Sequence, residues 1–204
     1  MATATVLNET QFPIWCPVFH LHQPPYDKET IGFYKECASR SYSHHLDVLE
    51  RHPAIKVTYN ATGTLLEQMN EHNPELVGRL KKGVERGQIQ LTSTPYNHPL
   101  TPLVIDQIGE SAVREQIERD LRLKEDWFGV RPNVFRPPEY AVSDRTVDLA
   151  SEYFDYILLS APTFALAGLP EGYAVKRGKT TLVNVHQGLS GFLGSIAGNF
   201  RLIA

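Results

Sequence analysis

Apolar residues along the 204-residue chain follow two alternating rhythms. Short runs rich in β-branched and aromatic residues occur at 17–23 (PVFHLHQ), 55–62 (IKVTYNAT), 89–95 (IQLTSTP), 133–138 (NVFRPP), 156–161 (YILLSA) and 180–187 (TTLVNVHQ). Each is a predicted strand, and the stretches between them keep a helical period. Ile105, Ile108, Ala112, Ile117, Leu121, Trp127 and Phe128 mark one face of a single amphipathic helix, with Glu110, Arg114, Glu118, Arg122 and Glu125 on the other. Asn73 followed by Pro74 supplies a capping side chain and a first-turn proline, which predicts a helix reaching to near Gly87. Further helical stretches follow the first strand (Tyr42, Leu46, Leu49) and the fourth, where Ser143 is the predicted cap. Strand and helix in alternation build a parallel sheet, either open and doubly wound or most of a closed barrel. Residues 162–179 have little periodicity and are predicted as a loop near the functional face.

With 42% hydrophobic residues the chain can bury a sizeable core, and no linker or low-complexity segment divides it. Twenty Lys and Arg against 23 Asp and Glu leave a net charge of -3, with no basic stripe, which argues against a nucleic-acid partner. No apolar run approaches the roughly 20 residues of a membrane span, and the opening MATATVLNET lacks the pattern of a secretory signal. The expectation is a cytoplasmic protein without a membrane partner. Cys16 and Cys37 form no CxxC spacing and are predicted to be inert buried thiols.

In βα architectures the working side chains gather at the carboxyl ends of the strands, and here those ends are polar. They carry His20, His22 and Gln23; Asn60; Thr94, Tyr96, Asn97 and His98; Arg136 and Glu139; Ser160; and His186 with Gln187. An unpaired buried polar group costs roughly 1–3 kcal/mol, so packing alone gives no reason for this collection. His20 and His22, two apart on a strand, point to one face about 6.5 Å apart. They are either hydrogen-bonding histidines or, with His186, a metal trio. Glu139 follows two prolines, which fix the backbone as it leaves the sheet and hold the carboxylate in one direction. Such a carboxylate is a candidate nucleophile or general base, the alternative being a surface glutamate that opens a loop. Arg136, three residues earlier, is placed to pair with it and keep it ionised. Histidines 44, 45, 52 and 72 lie in or near helices and are read as structural. The glycines of 188–198 lack the GK[ST] of a phosphate loop, and GLSG is not a GxSxG elbow.

Three segments in order, FHLHQPPY (19–26), GQIQLTSTPYNHPLTPL (87–103) and FRPPEY (135–140), resemble the first three sequence regions of the family 57 glycoside hydrolases, α-amylase and amylopullulanase-like members in particular. HQGLSGFLG (186–194) is similar to a later family stretch. The resemblance implies an α/β fold, an incomplete (β/α)7-type barrel of parallel strands with surrounding helices. It also implies action on an α-glucan or oligosaccharide with retention of configuration and no cofactor. Glu139 matches the nucleophile, and the implied substrate-binding set is His20, His22, Gln23, Tyr96, His98, Arg136 and His186. Tyr96 or Trp15 would stack on a sugar ring.

The family's general acid is an aspartate in a fourth region, and this chain ends at Ala204 ahead of a match. No general acid is assigned. The expectation is a single barrel domain over 1–204, truncated at its C-terminus, with an uncovered sheet edge that favours a homo-oligomer. Two rival readings are a carbohydrate-binding remnant without turnover and a metal-dependent carbohydrate deacetylase built on His20, His22 and His186.

Overall fold

The computed structural model describes residues 16–25, 29, 31–166 and 174–185. All six predicted strand regions contain strands: β1 (Val18–Leu21), β2 (Val57–Ala61), β3 (Ile89–Leu91), β4 (Val134–Phe135), β5 (Tyr156–Ser160) and β7 (Thr180–Val185). An unpredicted β6 (Ala174–Arg177) precedes the last. Among the described residues the strands form two sheets, ordered β1-β2-β3 and β4-β5-β7-β6. Pairing is parallel except for the β6–β7 hairpin. Among the described residues the sheets join at one point, where Ser93 N donates to Val134 O (2.8 Å) and Arg136 N to Ser93 O (2.9 Å), a parallel bridge between Ser93 and Phe135. Six parallel strands therefore end on one common edge.

The helices cover the sheet and seal its apolar side chains. α1 (Ile31–Cys37) runs through a single π turn (Ala38–Tyr42) into α2 (Ser43–Arg51), burying Tyr34, Tyr42, Leu46 and Leu49. α3 (Gly63–His72) starts where Thr62 Oγ1 accepts from Leu65 N, and α4 (Pro74–Glu85) starts at its proline. These elements pack a core against β1–β3 that takes in Tyr59, Leu65, Leu66 and Leu80. A second core joins β4 and β5 to α5 (Thr101–Gln107), α6 (Glu110–Phe128) and α7 (Asp144–Ser151) through Ile117, Phe135, Phe154 and Ile157. Ser143 caps α7 as expected, accepting from Thr146 N.

Four expectations change. The single helix of 105–128 is two, because Gly109 at φ 119° breaks the turn and leaves Ile108 in solvent. Asn73 makes no side-chain cap to α4; its amide donates to Glu75 instead. The predicted loop of 162–179 contains the end of α8 (Ala161–Leu166) and all of β6, an edge strand too short for its alternation to show. Cys16 is exposed and Cys37 half-buried, because Cys16 precedes β1 at the open amino edge of the sheet. α3 was also missed, its capping Thr62 falling in the run read as strand. Among the described residues no helix is long and apolar enough to cross a membrane.

Candidate active site

Three imidazoles meet at the carboxyl edge of the first sheet. His20 sits in β1, His22 just past it, and His98 in the turn after β3. The His20 and His22 rings lie 6.1 Å apart and nearly parallel, as residues two apart on a strand must, and the His98 ring lies 4.5 Å from one and 4.7 Å from the other. Parallel pairing sets the rest of the arrangement. β2 runs beside β1 with Asn60 opposite His20, so Asn60 Oδ1 meets His20 Nδ1 at 2.8 Å, while Asn60 Nδ2 donates to Thr92 Oγ1 at 2.8 Å. The amide oxygen can only accept, so the proton of His20 is on Nδ1 and its Nε2 carries the lone pair. His22 Nδ1 lies 3.1 Å from Thr62 Oγ1, the same oxygen that caps α3. His98 Nδ1 lies 3.4 Å from Thr94 Oγ1, and its Nε2 is buried without a hydrogen-bond partner.

Glu139 reaches this cluster from the second sheet. Its Oε1 lies 3.7 Å from His98 Nε2, although the glutamate side chain is 71% exposed and the histidine 5%. Strand β4 ends at Phe135, and the chain passes through Pro137 into one 3-10 turn (Pro138–Tyr140) that carries the carboxylate. Among the described residues three non-glycines adopt positive φ: His98 (57°), Glu139 (52°) and Tyr140 (54°). Left-handed backbone costs such residues about 1–3 kcal/mol each and persists only where the surroundings impose it. Two of the three are the residues that face each other here.

Burial decides the charge of the imidazoles. It pulls His98 down to about 3, with the neighbouring His20, His22 and Arg136 adding to it. Burial also pulls His20 down to about 4, with Arg136 contributing and the bond to Asn60 opposing. His22 is lowered by burial as well, against the attraction of Glu139. Near pH 7 all three are neutral rings, able to give or take a hydrogen bond from a hydroxyl.

Beneath the edge lies an ion pair that the sequence reading missed. Asp120 and Lys124, one turn apart on α6, are both fully buried and 2.7 Å apart. Lys124 Nζ donates to Thr92 O (2.9 Å), and Asp120 Oδ2 accepts from Ser93 Oγ (2.6 Å) and Thr94 N (3.4 Å). The pair thus grips the three residues that bond to Asn60, bridge to β4 and support His98. Burial pushes the Asp120 carboxyl up and the Lys124 ammonium down, against their mutual attraction. The signal was present in the sequence. Positions 120 and 124 fall inside the apolar stripe of Val113, Ile117, Leu121 and Phe128, not on the polar face.

Several sequence expectations are corrected or redirected. Arg136 makes no ion pair with Glu139; its guanidinium is buried and stacks 4.4 Å over the Tyr140 ring, because the prolines turn Glu139 towards His98. Tyr96 offers no face to a sugar: its ring is buried under the Arg119 guanidinium, 3.8 Å away, and against Gly63, where any side chain would collide with it. Gln23 donates from its amide to Cys37 Sγ (3.4 Å). His186 and Trp15 lie outside the described residues. A cavity of about 640 Å³, lined by Cys16, Lys56, Gln88 and Arg131, opens at the opposite, amino-terminal edge.

A family model described as glycosyl hydrolase family 57 matches residues 17–180. The chain belongs to that family. It is 30% identical over 153 residues to a 4-alpha-glucanotransferase of Thermococcus litoralis, a match covering 74% of this chain and 22% of that protein. It is 27% identical over 156 residues to an alpha-amylase of Pyrococcus furiosus, again covering 74% of this chain and 22% of the relative. The chain thus spans about a fifth of the length of these relatives. In three dimensions it superposes on the crystal structure of 4-alpha-glucanotransferase from Thermococcus litoralis with a TM-score of 0.74 at 22% identity, covering 87% of this chain and 28% of that one. The fold is accordingly an incomplete (β/α)7-type barrel, an α/β domain of parallel strands with surrounding helices.

Proposed function

We propose that this chain carries the nucleophile and sugar-binding part of a retaining glycoside hydrolase or transglycosylase acting on α-glucans. The observation that carries the reading is the contact of Glu139 with His98, made by two residues that the fold holds in left-handed backbone. Glu139 attacks the anomeric carbon. As the bond from that carbon to the carboxylate oxygen forms, the bond to the leaving glycosidic oxygen breaks, and that oxygen takes a proton from a general acid. The neutral His20, His22 and His98 hold the sugar hydroxyls. Retention requires a second carboxyl group about 5–5.5 Å from the first. That acid is assigned to no residue of this chain. Water as acceptor gives hydrolysis and a sugar hydroxyl gives transfer.

A fluorinated α-glycosyl fluoride tests the nucleophile without the acid, because fluoride departs with little need of a proton. Labelling on Glu139, located by peptide mass spectrometry and absent in Glu139→Gln, is the expected result. A purified chain that stays unlabelled, or is labelled elsewhere, refutes the assignment.

A second reading, a carbohydrate-binding chain without turnover, draws on the 71% exposure of Glu139, which leaves the carboxylate in water instead of the dry pocket a nucleophile uses. Calorimetry with maltooligosaccharides beside a reducing-end assay separates the two: binding without product favours the second.

A further inference from the structure

We propose that the strand-end cluster binds a divalent transition-metal ion through one ring nitrogen each of His20 and His98 and one oxygen of Glu139, and that this ion excludes a glucan ring from the site. The binding half of the inference stands on geometry alone. The exclusion half rests on the function proposed above.

The three ligand atoms lie within 4.8 Å of one another. His98 Nε2 and Glu139 Oε1 are 3.7 Å apart, too far for a good hydrogen bond. A tetrahedral ion with bonds of about 2.0–2.1 Å holds neighbouring ligands roughly 3.4 Å apart, so a small approach of the exposed carboxylate completes the pair. Two features show that the nitrogens are prepared to coordinate. The His20 proton is fixed on Nδ1 by Asn60 Oδ1, which leaves Nε2 as a donor of known direction, the kind of outer support that metal-bound histidines use. His98 Nε2 is buried in a side chain only 5% exposed and has no hydrogen-bond partner. A buried unsatisfied nitrogen costs about 1–3 kcal/mol, and this one lies 3.7 Å from the Glu139 carboxylate in a ring 4.5 Å from that of His20. Two imidazoles and one carboxylate suit zinc, cobalt, nickel or copper(II), and suit magnesium or calcium poorly. An ion so placed occupies the His98 nitrogen and the Glu139 oxygen together, the atoms a sugar ring would meet.

Titration of the purified full chain with Co²⁺ and Zn²⁺ tests this by calorimetry and, for Co²⁺, by its visible ligand-field spectrum. One equivalent is expected with a dissociation constant of about 10 µM or tighter. Asn60→Ala should weaken it by roughly 10–100-fold, and His98→Asn and Glu139→Gln by more. Asparagine tolerates the left-handed backbone at 98, and Glu139 is exposed, so at least the second variant retains the fold. His44→Ala, on an exposed helix residue, should bind as the parent does. No saturable uptake up to about 1 mM metal, or uptake unchanged in both His98→Asn and Glu139→Gln, overturns the site. Zn²⁺ is then expected to displace a maltooligosaccharide competitively. Metal binding without displacement overturns the exclusion while the site stands. Labelling of Glu139 by the glycosyl fluoride without any metal uptake leaves the nucleophile assignment intact and ends this one.

Discussion

His98 and Glu139 face each other across the seam between the two sheets, and they are held in opposite ways. The first sheet delivers histidines that are braced from behind: His20 on Asn60, Asn60 on Thr92, Thr92 on the buried Lys124, and His98 on Thr94. The second sheet delivers one carboxylate on a strained turn, 71% exposed, with a contact to His98 and no brace from Arg136. On the proposed function the contrast separates two tasks. Holding a sugar demands donors and acceptors fixed before the ligand arrives, because ordering them later weakens binding. A group that must form and break a bond needs direction and reach instead, and the left-handed backbone at Glu139 and Tyr140 supplies the direction.

If the division is real, variants on its two sides should fail differently. Glu139→Gln should cut turnover by roughly 10³-fold or more while leaving maltooligosaccharide affinity and the melting temperature nearly unchanged. An equal loss of affinity would show that Glu139 belongs to the binding side. Lys124→Met should do the reverse, costing about 3–5 kcal/mol of stability in urea denaturation because Asp120 is left as an uncompensated buried charge. Replacing both, Asp120→Leu with Lys124→Met, should cost less than the single change; a larger cost would show that the bonds from Ser93 and Thr94 to Asp120 outweigh the buried charge.

Acid offers a way to load the histidine side. His20 and His98 have folded values near 4 and 3, below the ordinary 6.5, so the unfolded chain takes up protons first. Their contribution to stability is complete above pH 6.5 and is lost progressively as pH falls through about 4 and then 3. Urea midpoints measured from pH 7.5 down to 4 should therefore drop, and drop less steeply in His98→Asn.

Two smaller effects sharpen the picture. Asn60→Ala leaves the His20 Nδ1 proton and the Thr92 hydroxyl without a partner, and should cost about 1–3 kcal/mol. Glu139→Gly should raise stability by about 1 kcal/mol, since glycine relieves the left-handed turn, while abolishing labelling. A melting temperature that falls would show the turn to be unstrained.

Much of this arrangement is legible in the sequence. The β-branched runs located six strands, and the polarity of their carboxyl ends singled out His20, His22, His98 and Glu139, which the fold does bring together. Residues whose role depends on a distant neighbour were misread. Tyr96 looked like a sugar platform because nothing local shows that α3 brings Gly63 against its ring or α6 lays Arg119 over it. Arg136 looked like the partner of Glu139 because the two are close in sequence, yet two prolines and two left-handed residues send their side chains apart. Asp120 and Lys124 went unnoticed because charged helical residues are mostly solvated.

The sequence by itself determined the parallel βα plan, its edge of polar strand ends and the family membership, because periodicity and short motifs are local properties of a chain. Only the tertiary structure decided which polar residues are braced, which are buried and which meet. Those outcomes depend on the register of β1 against β2, on the single Ser93–Phe135 bridge that joins the sheets, and on the depth to which α6 seats an ion pair beneath them. Hydrogen bonds and desolvation act over a few ångströms of space, whatever the separation along the chain.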